Sequence, residues 1–353
     1  MVRGIGISVG LLLLVSACGG GTSAPSPTAA ATVAATATAT PKPLTVTIGQ
    51  VGGLSDAAIY LADGKGYFKE QGITLQSLAF TTAAQMVAPL ARGDLMVGGG
   101  AAGAGIFNAI RTGTAMRIVA DKGNLNPGFG YEGLVIRPSL ADQIKSAKDL
   151  KGRTIALAAR DITPEVTLNT YLQTGGLTVK DVNVVMLPHA QMGQGLQTGA
   201  IDAGAPIEPY LTQILESGVG KLLIRSDQVT PGEQTAVIFF SEQFAKDRDA
   251  AVRFMVAYLK GARFYNDAFV KKDAAKRAEA VDLLAKATKF EPALIEKMTP
   301  PGLDPNGRVN VPSLEDVQKY MIAKGSMPAA IDMKQVVDMS FVEEAVKILG
   351  TYR

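Results

Sequence analysis

One histidine and one cysteine bound the side-chain chemistry available to this chain. A multi-histidine metal site is out of reach with a single imidazole, His189. No two acidic residues are spaced to argue for glycoside cleavage. The expectation is therefore a protein without catalytic residues, metal or cofactor. Residues that can hold a small molecule cluster in turns that the sequence pattern places between strands and helices. These turns are Ser55-Asp56, Thr81-Thr82-Ala83, Gly99-Gly100-Ala101, Arg160-Asp161-Ile162-Thr163, Pro188-His189-Ala190-Gln191 and Pro206-Ile207-Glu208. The loop from Asn126 to Tyr131 borders them.

In open parallel sheets, ligands sit beyond the carboxyl ends of strands, where helix N-termini present free N–H groups. The candidate contacts are Asp56, Thr82, Gly100, Tyr131, Arg160, Asp161, His189 and Glu208. For Ser55, Thr82 and Thr163 plain helix capping competes with a ligand role. A small oxyanion calls for several N–H donors, Arg or Lys, and no carboxylate nearby. Here Asp56, Asp161 and Glu208 face a single Arg160, and Phe107, Phe129, Tyr131 and Tyr210 lie on or beside the turns. That balance suits a flat heterocycle with N–H and hydroxyl donors. The carboxylates could equally be caps or ion-pair partners.

The elements that must position these turns alternate. Strands at Leu44–Ile48, Ile73–Phe80, Leu95–Val97 and Met116–Ala120 are separated by helices at Asp56–Glu70, Ala83–Arg92 and Ala101–Arg111. The rhythm restarts with strands at Thr154–Leu157, Val182–Met186, Ile201–Ala203 and Leu222–Ile224, and helices at Pro164–Gln173, Gln191–Gln197 and Glu208–Glu216. It predicts two α/β lobes, each with a mostly parallel sheet covered by helices. Apolar segments Gly133–Ile136 and Ala236–Phe240 read as the crossings between lobes, and the remainder to Arg353 as helical. The expected division is lobe 1 over 44–132, lobe 2 over 133–237, and a return to lobe 1 over 238–353. Two lobes joined by two crossings leave a cleft that closes by hinge motion.

Ahead of the body, Arg3, the apolar run Leu11–Val15 and small residues before Cys18 form a secretory signal over residues 1–17. The set resembles a bacterial lipoprotein signal, which implies a diacylglyceryl group on Cys18 and no free thiol afterwards. Residues 18–43 are nearly all Gly, Thr, Ser, Ala and Pro, too poor in apolar bulk to fold, and read as a tether. The body is 47% hydrophobic by whole-chain composition, and the net charge of +3 is too small to make nucleic acid the expected partner.

Four stretches carry a further resemblance: AAIYLADGKGYFKEQGITLQ (57–76), APLARGDLMVGGGAAG (88–103), DLKGRTIAL (149–157) and GLQTGAIDAGAPIEPY (195–210). In that order, behind a lipoprotein signal, they resemble the solute-binding proteins of ABC importers, in the branch serving nitrate, sulfonates, taurine, thiamine precursors and riboflavin. The resemblance covers Leu44 to about Phe240. It implies the two-lobed periplasmic-binding-protein type II fold and a lipid-anchored monomer facing the extracytoplasmic side. It also implies a small-molecule ligand, delivered to a membrane permease driven by a cytoplasmic ATPase. Within the branch, the acceptor-rich turns favour riboflavin or a pyrimidine thiamine precursor, with nitrate, sulfonate, taurine or an aromatic acid as the alternative. An exported enzyme on the same scaffold is the rival class. Gly98-Gly99-Gly100-Ala101-Ala102-Gly103 fits a dinucleotide fingerprint, but in an exported chain small residues there are better read as letting a ligand approach backbone.

Overall fold

The computed structural model describes residues 13–14 and 42–353. Cys18, the cleavage site and the tether up to residue 41 lie outside the described residues. From residue 44 the chain lays down four strands: β1 (Leu44–Gln50), β2 (Ile73–Ala79), β3 (Val97–Ala101) and β4 (Met116–Asn124). Five shorter ones follow: β5 (Gly133–Ile136), β6 (Thr154–Leu157), β7 (Asn183–Met186), β8 (Ala203–Gly204) and β9 (Lys221–Arg225). The last, β10 (Gln234–Ser241), is buried along its whole length.

They form two five-stranded sheets, ordered β2-β1-β3-β10-β4 and β7-β6-β8-β5-β9. Each is parallel except for one inserted strand: β10 runs antiparallel between β3 and β4, and β5 between β8 and β9. The apolar segments at Gly133–Ile136 and Ala236–Phe240, expected as crossings, are therefore sheet strands. The chain changes sheet in the polar stretches just before them, 125–132 and 226–233. Two buried runs looked like connections because a central strand, apolar on both faces, lacks the alternation that marks a half-exposed one.

Four helices frame the cleft: α1 (Ala57–Gly64) and α2 (Ala104–Arg111) on the first sheet, α3 (Thr163–Gln173) and α4 (His189–Thr198) on the second. The helix expected over Asp56–Glu70 is broken by Gly66, whose φ of 74° is left-handed backbone that costs glycine least. Downstream, α5 (Arg248–Tyr265) runs 18 residues, started by Asp247 accepting the Ala250 N–H, and α6 is Val311–Lys324. Both pack on the first sheet. Phe254, Met255, Tyr258 and Leu259 of α5 join Ile48 and Val97 on one face, while Leu314, Val317 and Met321 of α6 join Val237 and Phe239 on the other. The second sheet also has an apolar cluster on each face, one around Ile155 and Leu172, the other around Ala156 and Met192. Among the described residues no helix is long and apolar enough to cross a membrane.

Candidate functional site

A cavity lies between the sheets, at the carboxyl ends of their parallel strands. The first sheet contributes Val51 and Ser55 after β1, Gly100 and Ala101 at the end of β3, and Thr235 and Ala236 at the start of β10. Register explains the last pair: Ala236 stands opposite Ala101, so an antiparallel strand brings its beginning to where its neighbour ends. The second sheet contributes Ala158 and Ala159 after β6, Ile162 and Pro164 at the start of α3, His189 at the start of α4, and Ile207. Tyr131 and Glu132, from the first crossing, form the back wall.

Of the eight expected contacts, Thr82, Gly100, Tyr131 and His189 line this cavity. The Thr82 side chain caps no helix, so its hydroxyl is open to a ligand. Gly100 offers backbone only; a Cβ there would come within 2.9 Å of Ala83 Cβ. The Tyr131 hydroxyl lies 2.7 Å from Thr235 Oγ1, which itself donates to the Gly123 carbonyl at 2.9 Å. The Tyr131 hydroxyl also bonds the Glu132 carboxyl, so it ties Thr235 and Glu132 together at the cavity. His189 Nδ1 is buried without a partner, and loss of hydration pushes the imidazole down to about 4, leaving it neutral.

The other four are placed elsewhere. Asp56 lies beneath the floor in an ion pair with Lys122 at 2.9 Å, both side chains fully buried. The same ammonium donates to Ser55 Oγ at 2.9 Å, which leaves the Ser55 proton to point into the cavity. Arg160 lies along β7, donating to the Val184 carbonyl. Asp161 binds Lys324 Nζ at 2.7 Å and the Ser326 hydroxyl. Burial opposes its charge, but those two bonds and the charges of Lys324 and Arg160 hold its carboxyl below the usual range. Glu208 accepts the N–H and hydroxyl of Thr212, each at 2.9 Å, and the Thr299 N–H at 3.2 Å. Burial outweighs these bonds and pushes its carboxyl up. The aromatic wall is also thinner than expected. Phe107 is in the core of the first sheet, and Tyr210 stacks on His189 with ring centroids 6.5 Å apart. Tyr131 is the single one of the four aromatic candidates on the cavity.

The cavity is closed. Backbone joins the sheets across its rim: Ala104 N–H donates to the Asp161 carbonyl at 2.9 Å, and Thr163 N–H to the Ala102 carbonyl at 3.2 Å. Gly103 makes this approach possible, because a Cβ there would overlap the Asp161 carbonyl oxygen. On the inner side, Leu54 N–H donates to the Glu208 carbonyl at 3.1 Å. The glycine run read as a possible fingerprint is thus mostly strand: Gly98 to Gly100 belong to β3, and Gly99 makes room for Lys122, whose Cε would lie 2.6 Å from a Cβ. The free volume between the lobes is about 60 Å³.

Sequence reasoning missed Glu132 and Thr235. Glu132 is 4% exposed and lines the cavity, with no lysine or arginine paired to it among the described residues. Burial first, and then the neighbouring Glu233 carboxylate, push it up to about 8 against the Tyr131 hydroxyl. The available signal was a charged residue beside an apolar strand in each crossing, Glu132 before β5 and Glu233 before β10.

This architecture is that of the two-lobed periplasmic solute-binding proteins. The periplasmic nitrate-binding protein NrtA of Synechocystis PCC 6803 superposes with a TM-score of 0.72 at 16% identity, over 88% of this chain and 90% of that one. The alkanesulfonate-binding protein SsuA of Xanthomonas axonopodis pv. citri, bound to MOPS, gives 0.64 at 18% identity, over 86% and 98%. In sequence, the "Putative aliphatic sulfonates-binding protein" of Bacillus subtilis (strain 168) is 23% identical over 229 residues, 62% of this chain and 65% of that protein's length. Residues 39–285 match the NMT1-like family, to which the chain belongs.

Proposed function

We propose that the protein is the solute receptor of an ABC importer, held at the outer face of the cell membrane by a lipid on Cys18. It works as a monomer that captures one small molecule and presents the closed lobes to a permease driven by a cytoplasmic ATPase. It transforms nothing. The observation that carries this reading is the small closed cavity at the strand ends, sealed on two sides by hydrogen bonds that exist only while the lobes touch. Contacts to both lobes that form only on closure let a ligand populate the closed state.

Size and lining narrow the guest. Pockets for drug-sized ligands run to roughly 300–1,000 Å³, whereas this one offers about 60 Å³. A single small ring with N–H and hydroxyl donors, of the pyrimidine thiamine-precursor type, suits the space better than the three-ring riboflavin. Thr82, Gly100, Tyr131 and His189 are its proposed contacts. A second reading, a small oxyanion, is supported by the N-termini of α3 and α4 at the cavity and by the nitrate- and sulfonate-binding relatives. Native mass spectrometry of protein purified from its host tests the receptor role. One captured molecule below about 200 Da, released unchanged, is expected on the volume argument; steady turnover of it without permease or ATPase would contradict the proposal.

A further inference from the structure

We infer that Glu132 is the specificity-determining residue of the cleft, pairing with an amidine-like N–H edge on the ligand. This rests on the receptor reading above and names the chemistry of its guest. The inference starts from two buried polar groups bordering the same small space: a carboxyl with no lysine or arginine partner among the described residues, and an imidazole nitrogen with no hydrogen-bond partner. Glu132 stands on the back wall, 4% exposed. The Tyr131 hydroxyl, which also lies 2.7 Å from Thr235 Oγ1, gives Glu132 the one side-chain hydrogen bond that offsets its burial. His189 Nδ1, at the start of α4, is buried and unpartnered. Buried polar groups in folded proteins are nearly always bonded and buried carboxylates nearly always paired, so an orphan nitrogen and a carboxyl without a cation on one cavity mark where a ligand's polar atoms go.

Towards a cationic ligand, Glu132 offers the chemistry of an acceptor. An ionised carboxylate has acceptor sites only, arranged to take two parallel N–H bonds. The remaining lining is hydroxyl and apolar: Ser55, Thr81 and Thr82 on the first lobe, alanines 158 and 159 on the second. Among the described residues no lysine or arginine lines the cavity; the buried Lys122 is occupied by Asp56 and Ser55. A ligand with two adjacent N–H groups meets all of this, its N–H edge on Glu132 and its ring between the small residues. The titratable groups facing Glu132 are Tyr131, whose hydroxyl favours the charged form, and Glu233; burial and the Glu233 carboxylate outweigh that bond and push Glu132 up to about 8, so it carries its proton in the ligand-free cleft at pH 7. A bound amidinium displaces that proton to solvent; an oxyanion would require the proton to stay.

Isothermal titration with four probes separates the cases: acetamidine and 4-aminopyrimidine as amidine edges, nitrate and methanesulfonate as oxyanions. Each is run in two buffers of different ionisation enthalpy at pH 7, on wild-type protein and on Glu132→Gln. The glutamine removes a buried unpaired acid, and a thermal melt confirms that it folds. The inference expects cationic acetamidine to bind with proton release and neutral 4-aminopyrimidine to bind without net proton exchange, and Glu132→Gln to weaken each roughly tenfold to a hundredfold, the loss of one charge-assisted bond. Oxyanion binding that takes up protons, or that survives Glu132→Gln unchanged, would overturn the inference while leaving the receptor reading intact. Silence from all four probes while native mass spectrometry still finds a captured solute would also overturn it; silence with no captured solute would take the receptor reading down too.

Discussion

The two sides of the cleft use carboxylates in opposite ways. At the rim, Asp161 and Glu165 of the second lobe share Lys324, the last residue of α6 on the first lobe. At the hinge, Glu132 and Glu233 are both buried without a cation. Burial pushes Glu233 up to about 7 against its bonds to Thr167 and Thr230. The rim pairs span the two lobes, so their charge favours the closed form. The hinge carboxyls sit in the two crossings themselves, not on a surface where the lobes meet. The rim therefore sets how firmly the lobes meet, and the hinge sets what is held between them.

Asp56 sharpens the contrast, being buried like the hinge acids yet paired like the rim. Asp56→Ala strands the Lys122 charge in the core and should cost about 3–5 kcal/mol of stability in urea unfolding. A loss under about 1 kcal/mol would show that the pair is solvated and the comparison false. At the rim, Gly103→Val places a side chain where the Asp161 carbonyl must approach. It should raise the ligand Kd at least ~100-fold, near 2.7 kcal/mol, with little change in melting temperature.

The two regions should also respond to pH in opposite windows. Glu132 and Glu233 have folded-state values of about 8 and 7, above their unfolded ones. The stability they confer is complete below the ordinary carboxylate range and is lost as pH rises through about 7 to 8. Chemical denaturation of ligand-free protein should show falling stability from about pH 5 to 8, with a shallower slope in Glu132→Gln. Asp161 is held low, so its contribution is present above the ordinary aspartate range and disappears on acidification through its depressed pKa. The smallest effect is expected from Lys324→Met. Lys324 and Asp161 are partly exposed, and the buried Glu165 keeps its bonds from the Asp161 N–H and the Tyr320 hydroxyl, so removing the ammonium should weaken ligand binding by about 1 kcal/mol or less, the loss shrinking further at high salt. A salt-independent loss of more than tenfold would make the rim a buried element.

The fold was legible because it rests on local periodicity. The restarted strand–helix rhythm announced two α/β lobes, and the chain's shift into helices after Phe240 was equally plain. What misled were positions decided by distant partners. Asp56, Asp161 and Glu208 occupy turns where a ligand acceptor belongs. Their partners, Lys122, Lys324 and Thr299, come from elements far along the chain, Lys324 from 163 residues away. Glu132 went unread for the converse reason: it lies in no strand-to-helix turn, and only the antiparallel insertion of β5 and β10 carries the crossings to the back of the cleft. Thr82, Gly100, Tyr131 and His189 line the cavity because it lies at the strand ends, the general position of ligands in open sheets.

The central claim is that the lobes close on one guest, and small-angle scattering tests it without naming that guest. Protein purified from its host is measured as isolated, after its solute is stripped by unfolding and refolding, and again after the stripped small-molecule fraction is returned. The account predicts a compact particle that expands on stripping and contracts on return. An unchanged radius of gyration through all three states would contradict it.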